Sequence, residues 1–197
     1  FSSHLSEFKS VRHDLHRNPE LGFKEFRTAS KVKEFLTELG LPFVSGLGIT
    51  GIVATVQGTQ PDNGKRVGLR ADMDALPMNE KSEHAHRSEN EGCMHACGHD
   101  GHTTILLAVA KYLATNRNFA GEIYLVFQPA EEGGGGGYKM VEDGLFEKFP
   151  MDAIFGLHNW PYINAGKIAV LDGPAMSAVD IIGIEIKGVG GHGGVDP

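Results

Sequence analysis

Cysteine is scarce in this chain: Cys93 and Cys97 are the only two among 197 residues. That is too few for a disulfide framework, so packing or metal ligation is their expected use, and a reducing compartment, the cytoplasm, is the expected address. Basic residues are outnumbered, 18 Lys+Arg against 25 Asp+Glu, for a net charge of −7. Such a balance repels phosphate backbones and builds no basic stripe, which argues against nucleic acid and anionic membranes as partners. No run is apolar and long enough to span a bilayer, and the opening Phe-Ser-Ser-His-Leu-Ser-Glu-Phe has neither the charged nor the apolar region of a secretory leader. What remains, 41% hydrophobic and 22% charged residues, is a globular chain with one main domain and room for part of another.

The densest chemistry lies in His95-Ala-Cys97-Gly-His99-Asp100-Gly-His102, with three imidazoles, a thiol and a carboxylate in eight residues. Thiolate and imidazole are the donors zinc and its neighbours prefer, and Cys-x-His sets two of them on a short loop. Apolar periodicity predicts helices over Ser6–Arg17, Glu25–Leu39 and Thr103–Thr115. Strands are predicted over Ile49–Val56, Val67–Ala71, Glu122–Gln128, Asp152–His158, Lys167–Leu171 and Val179–Val189, the first two as a hairpin turning at Asp62-Asn63-Gly64. Strands alternating with helices imply an α/β fold with a sheet packed between helices and ligands at the strands' carboxyl ends.

Gln128-Pro-Ala-Glu131-Glu132-Gly133 puts two acids at such an end. Neighbouring side chains on extended backbone point apart, so two acids serving one site need an irregular backbone, which the following glycines permit. One acid is then free to ligate a metal while the other handles a proton. Asp72 and Asp74, at alternate positions after Val67–Leu69, share a face and suit ligation or the orienting of a ligand imidazole. His158 closes an apolar strand, and His192 lies in a glycine-rich turn. Cys93 reads as a small buried hydrophobe. His4, His13, His16, His84 and His86 show no partner spacing and read as solvated.

Arg70-Ala-Asp-Met-Asp-Ala-Leu-Pro77, His95 to His102, Pro129-Ala-Glu-Glu-Gly133, Gly156-Leu-His-Asn-Trp-Pro161 and Gly190-Gly-His192 occur in one order. Together they resemble the metal-dependent amidohydrolases that include hippurate hydrolase, N-acyl-amino-acid amidohydrolases and plant auxin-conjugate hydrolases, within the aminoacylase and carboxypeptidase metallopeptidase superfamily. The resemblance implies an α/β catalytic domain with a mixed central sheet over residues 1–175 and the start of a smaller lid or dimerisation domain over 176–197. It implies two divalent metal ions, zinc first, with manganese, cobalt or nickel as alternatives, held by Cys97, His99, Glu132 and His158. Glu131 is implied as general base on metal-activated water, Asp74 as an orienting carboxylate and His192 as an oxyanion-stabilising histidine offered to a partner subunit, so that a homodimer or higher homo-oligomer is expected. The implied substrate is an N-acyl amino acid or peptide, with a dipeptidase or carboxypeptidase as the rival within the superfamily and a non-catalytic metal-binding protein as the rival outside it. Family chains are longer and complete the metal site with a further histidine near their C-terminus. Asp72 departs from the wider superfamily's His-x-Asp, and the residues that follow the lid histidine in the family are missing before Val195.

Overall fold

The structure, a computed structural model, describes residues 4–178, 180 and 182–195. It forms two compact units, Phe1–Asn159 and Trp160–Pro197. The first contains α1 (Leu5–Arg17), α2 (Phe26–Glu38), β1 (Phe43–Leu47), β2 (Gly51–Gln57), β3 (Arg66–Asp72), α3 (His99–Thr115), β4 (Glu122–Gln128), α4 (Gly136–Glu142), α5 (Leu145–Lys148) and β5 (Ala153–Gly156).

Five strands form one mixed sheet in the order β1-β2-β4-β3-β5. β2 runs antiparallel to β1 and β4, whereas β3 runs parallel to β4 and β5. The predicted β2–β3 hairpin is not formed, because β4 lies between the two strands. The turn-rich segment after β2 spends its backbone donors on the approach to β4, with Gly58 N–H donating to Gly121 O at 2.9 Å and Gln60 N–H to Phe119 O at 3.0 Å. The hairpin actually present is β1–β2, and its first strand escaped the periodicity reading because it is an edge strand with three exposed central residues.

Alternation along the strands divides the core. Ile52, Ala54, Val56, Leu125 and Phe127 face α1, α2 and α3, meeting Phe8, Val32, Leu36, Leu107 and Ala110. Their neighbours Val53, Tyr124 and Val126 face the other way, toward Met140 of α4, Leu145 of α5 and Phe149. This is the period of two expected of strands buried on both faces. In α2, Ala29, Val32 and Leu36 form the helical stripe that meets it.

In the second unit the described residues form turns but no helix or strand. The strands expected over Lys167–Leu171 and Val179–Val189 are therefore corrected, apart from Val179 and Ile181, which lie outside the described residues. Ile182, Ile184 and Ile186 alternate as a strand would, yet all three are exposed. A strand persists only where another takes up its backbone hydrogen bonds, and no described segment does so here. No helix among the described residues is long and apolar enough to cross a membrane.

Candidate metal centre

Three parallel strands deliver their carboxyl ends to one edge of the sheet. Asp72 pairs with Gln128 at the ends of β3 and β4, so the segments carrying Asp74 and Glu131-Glu132 leave side by side. β5 ends at Gly156, two residues before His158. The first turn of α3 meets them, preceded by Gly98 at φ 90°. A side chain at Gly98 would be strained in that left-handed backbone and would press on the Asn159 carboxamide.

His99 is the hub. It is fully buried, and its Nδ1–H donates to the Asp74 backbone carbonyl at 2.8 Å, with Asp74 Oδ1 at 3.2 Å. That bond turns the lone pair of Nε2 inward, where Asp72 Oδ2 lies at 3.6 Å, Glu132 Oε1 at 3.8 Å and Glu131 Oε2 at 3.9 Å. Nε2 has no hydrogen-bond partner. Donor atoms of Cys97, His99 and His158 lie within 4.8 Å of one another, and so do those of His99, Glu131 and Glu132, and those of Asp72, His99 and His102. Cys97 Sγ is 3.4 Å from His158 Nε2, while His158 Nδ1–H donates to Asn159 O at 2.6 Å.

These residues fit a divalent metal. A buried imidazole nitrogen without a partner is costly unless something accepts its lone pair, and sulfur, imidazole and carboxylate donors within reach of it suit zinc and its neighbours. The local charge agrees. Burial, then the Glu132, Asp72 and Glu131 carboxylates, push the Cys97 thiol up to about 12. Burial opposes a proton on His99, but Asp74, Asp72 and Glu132 outweigh it and raise its pKa. A site that so favours positive charge is one a cation would neutralise.

Around the donors runs a set of orienting contacts. Asp72 Oδ1 accepts from His102 Nδ1–H at 2.6 Å and Oδ2 from Arg70 at 2.6 Å, while His102 Nε2 takes the Asn159 backbone N–H at 3.0 Å. Burial works against the charged form of Asp72, yet His102 and Arg70 prevail and hold it at about 2. Asp74 Oδ2 accepts the Glu132 backbone N–H at 2.9 Å. So Asp72 and Asp74 flank the same imidazole, one beside each nitrogen. The irregular backbone expected at the paired acids begins one residue before them, at Ala130, whose φ is 48°.

Two groups escaped the reading of the sequence. His16 is buried rather than solvated: Nδ1 lies 2.9 Å from Asp100 Oδ2 and Nε2 3.2 Å from Glu80 Oε1. Its spacing from Arg12, one helical turn earlier and also on Asp100 at 3.1 Å, was the available signal. Glu25 is fully buried beside the Ala130 backbone, and nothing in the sequence marks it. His13 and His86 stack with ring centroids 3.8 Å apart, and Cys93 is buried as expected. His95 is buried with neither ring nitrogen bonded, and burial takes its pKa to about 4. His192, in the second unit, accepts the Gly194 N–H at 3.2 Å.

Known proteins resemble this chain over most of its length. Hippurate hydrolase of Campylobacter jejuni is 50% identical over 95% of this chain and 48% of its own length. Thermostable carboxypeptidase 2 of Saccharolobus solfataricus is 44% identical over 93% of this chain and 47% of its own. The crystal structure of the Bacillus subtilis YXEP protein, described as a dinuclear metal-binding peptidase of the M20 family, superposes with a TM-score of 0.82 at 35% identity, covering 88% of this chain and 48% of that one. The chain thus spans about half the length of the relatives it matches. Residues 68–191 match the model of Peptidase family M20/M25/M40, and the chain belongs to that family.

Proposed function

We propose that the full-length protein hydrolyses the amide bond of N-acyl amino acids. The observation that carries this reading is the partnerless Nε2 of buried His99, ringed by Cys97, His158, Glu131 and Glu132. Cys97, His99, Glu132 and His158 would hold two divalent ions, zinc in the first instance. Bound there, such ions polarise the scissile carbonyl and acidify water.

The chain's own groups do the rest. Asp74 keeps His99 in the tautomer that presents Nε2, and by accepting the Glu132 N–H it fixes the acid pair. Glu131, the more exposed of the two acids at 39% against 23%, takes a proton from the attacking water. As the C–N bond breaks it returns that proton to the leaving nitrogen, giving a carboxylic acid and a free amino acid. Asp72 holds His102 and Arg70 in place. His192, on a lid or dimerisation domain starting near residue 176, would stabilise the oxyanion in the site of a partner subunit, in a homodimer working in the cytoplasm.

The 50% identity to a hippurate hydrolase supports an acyl-amino-acid substrate, and the 44% identity to a carboxypeptidase supports a peptide as the second reading. The test is a panel of hippurate, N-acetyl amino acids and dipeptides assayed on full-length protein of measured metal content. Glu131→Gln should lower kcat by about 10²- to 10⁴-fold with metal content unchanged. Activity surviving in that variant rules out Glu131 as the base, and preference for free dipeptides rules out the acylase reading.

A further inference from the structure

The two acids of the site leave the end of β4 in succession, yet both reach His99, with Glu131 Oε2 at 3.9 Å and Glu132 Oε1 at 3.8 Å from Nε2. Extended backbone would send them to opposite faces. What redirects them is Ala130, a non-glycine residue in left-handed backbone at φ 48°, a conformation in which its Cβ crowds the neighbouring carbonyl. Something must therefore hold Ala130 there.

Its carbonyl accepts the Gly136 N–H at 3.0 Å, and its N–H donates to Glu25 Oε1 at 2.8 Å. Glu25 comes from 105 residues away, at the N-terminal boundary of α2. Glu25 makes no capping bond to that helix. Its second oxygen accepts from Thr50 Oγ1 at 2.6 Å. The carboxyl is fully buried and forms no ion pair among the described residues. Burying a carboxyl without a cation is expensive, and burial accordingly raises its pKa. With neither a helix cap nor a salt bridge to make, its two oxygens are taken up by Thr50 and by the backbone of Ala130.

We propose that Glu25 is a positioning residue for the Glu131-Glu132 pair, its buried carboxyl pinning the left-handed turn at Ala130 that aims both acids at one centre. This rests on the reading of Glu131 and Glu132 as the working acids. Glu25 touches no reacting group and acts only through the loop, alongside Asp74, which grips the same loop two residues later.

The experiment compares Glu25→Ala, Glu25→Gln and Thr50→Val in the full-length protein by steady-state kinetics on an N-acyl amino acid and by amide exchange of the metal-free form. Glu25→Ala should speed exchange at Ala130 by about tenfold or more while β4 amides stay protected. It should lower kcat by about 100-fold with KM within about threefold, the size expected of a misplaced acid. Glu25→Gln should stay within about threefold of wild type, since its carboxamide oxygen still accepts from Ala130 and its NH2 meets Thr50. Thr50→Val should show a several-fold loss in the same direction. A folded Glu25→Ala protein with wild-type kcat overturns the proposal, as does a Glu25→Gln protein as impaired as Glu25→Ala. If Glu25→Ala fails to fold, unchanged kcat in Thr50→Val overturns it. If the wild type hydrolyses no amide, the functional reading fails by itself, and exchange at Ala130 still decides the role of Glu25 on the loop.

Discussion

His16 Nδ1 lies 2.9 Å from Asp100 Oδ2, and together with Arg12 on the same oxygen this contact ties α1 to the first turn of the helix that carries His99. The hydrogen bond to Asp100 raises the His16 pKa, with Glu80 adding to it against the effect of burial. A raised histidine pKa contributes stability that is complete below the unfolded value near 6.5 and disappears as pH climbs through the folded value. His16→Gln should cost about 2–3 kcal/mol at pH 6, because it leaves Asp100 and Glu80 short of a buried partner. By pH 9 the cost should be smaller. Urea denaturation of both proteins across that range checks this, and a pH-independent difference refutes it.

Asp72 grips His102 and Arg70 with its two oxygens. Asp72→Asn keeps the shape but removes the charge, so metal affinity measured by chelator competition should fall by about 10- to 100-fold. Secondary structure by circular dichroism should be retained.

With its pKa at about 12, Cys97 is a thiol in the metal-free protein at pH 8. Alkylation by iodoacetamide in a Cys93→Ala background should be slow there and quicken about tenfold per pH unit toward pH 11. Ligation of a metal by Cys97 would expel that proton, so affinity should rise with pH. Fast alkylation at pH 7 would contradict the environment described for the thiol.

Gly136 and Gly133 separate crowding from backbone strain. A Cβ on Gly136 would overlap the Pro129 carbonyl, whereas one on Gly133 would meet open space at φ 82°. Gly133→Ala should therefore cost about 1–2 kcal/mol and Gly136→Ala clearly more, with displacement of the acid loop. Thermal melts of the two variants rank them.

Local elements are legible in the sequence. The stripe of Ala29, Val32 and Leu36 makes α2 legible, and the apolar run of β4 makes its bounds legible. Cys97, His99, Asp74, Glu131, Glu132 and His158 could be singled out because thiol, imidazole and carboxylate donors recur in short motifs just past apolar strands or at the start of α3. Pairing order was not legible. Whether β2 lies beside β3 or β4 depends on residues far apart in the chain, and no local periodicity records it. Glu25 and His16 were hidden for the same reason, their partners being 105 and 84 residues away. A buried acid and a buried histidine look like surface residues until those partners are known.

The pairing of Asp72 with Gln128 in neighbouring parallel strands also sets the order of events when the chain folds. Parallel neighbours need a long crossover, here the segment holding α3, and the entropy of closing it comes before any reward from the ends it joins. The donor cluster therefore has no local nucleus. A metal ion taken up by these donors should therefore slow unfolding more than it speeds refolding, which stopped-flow measurements with and without metal would check.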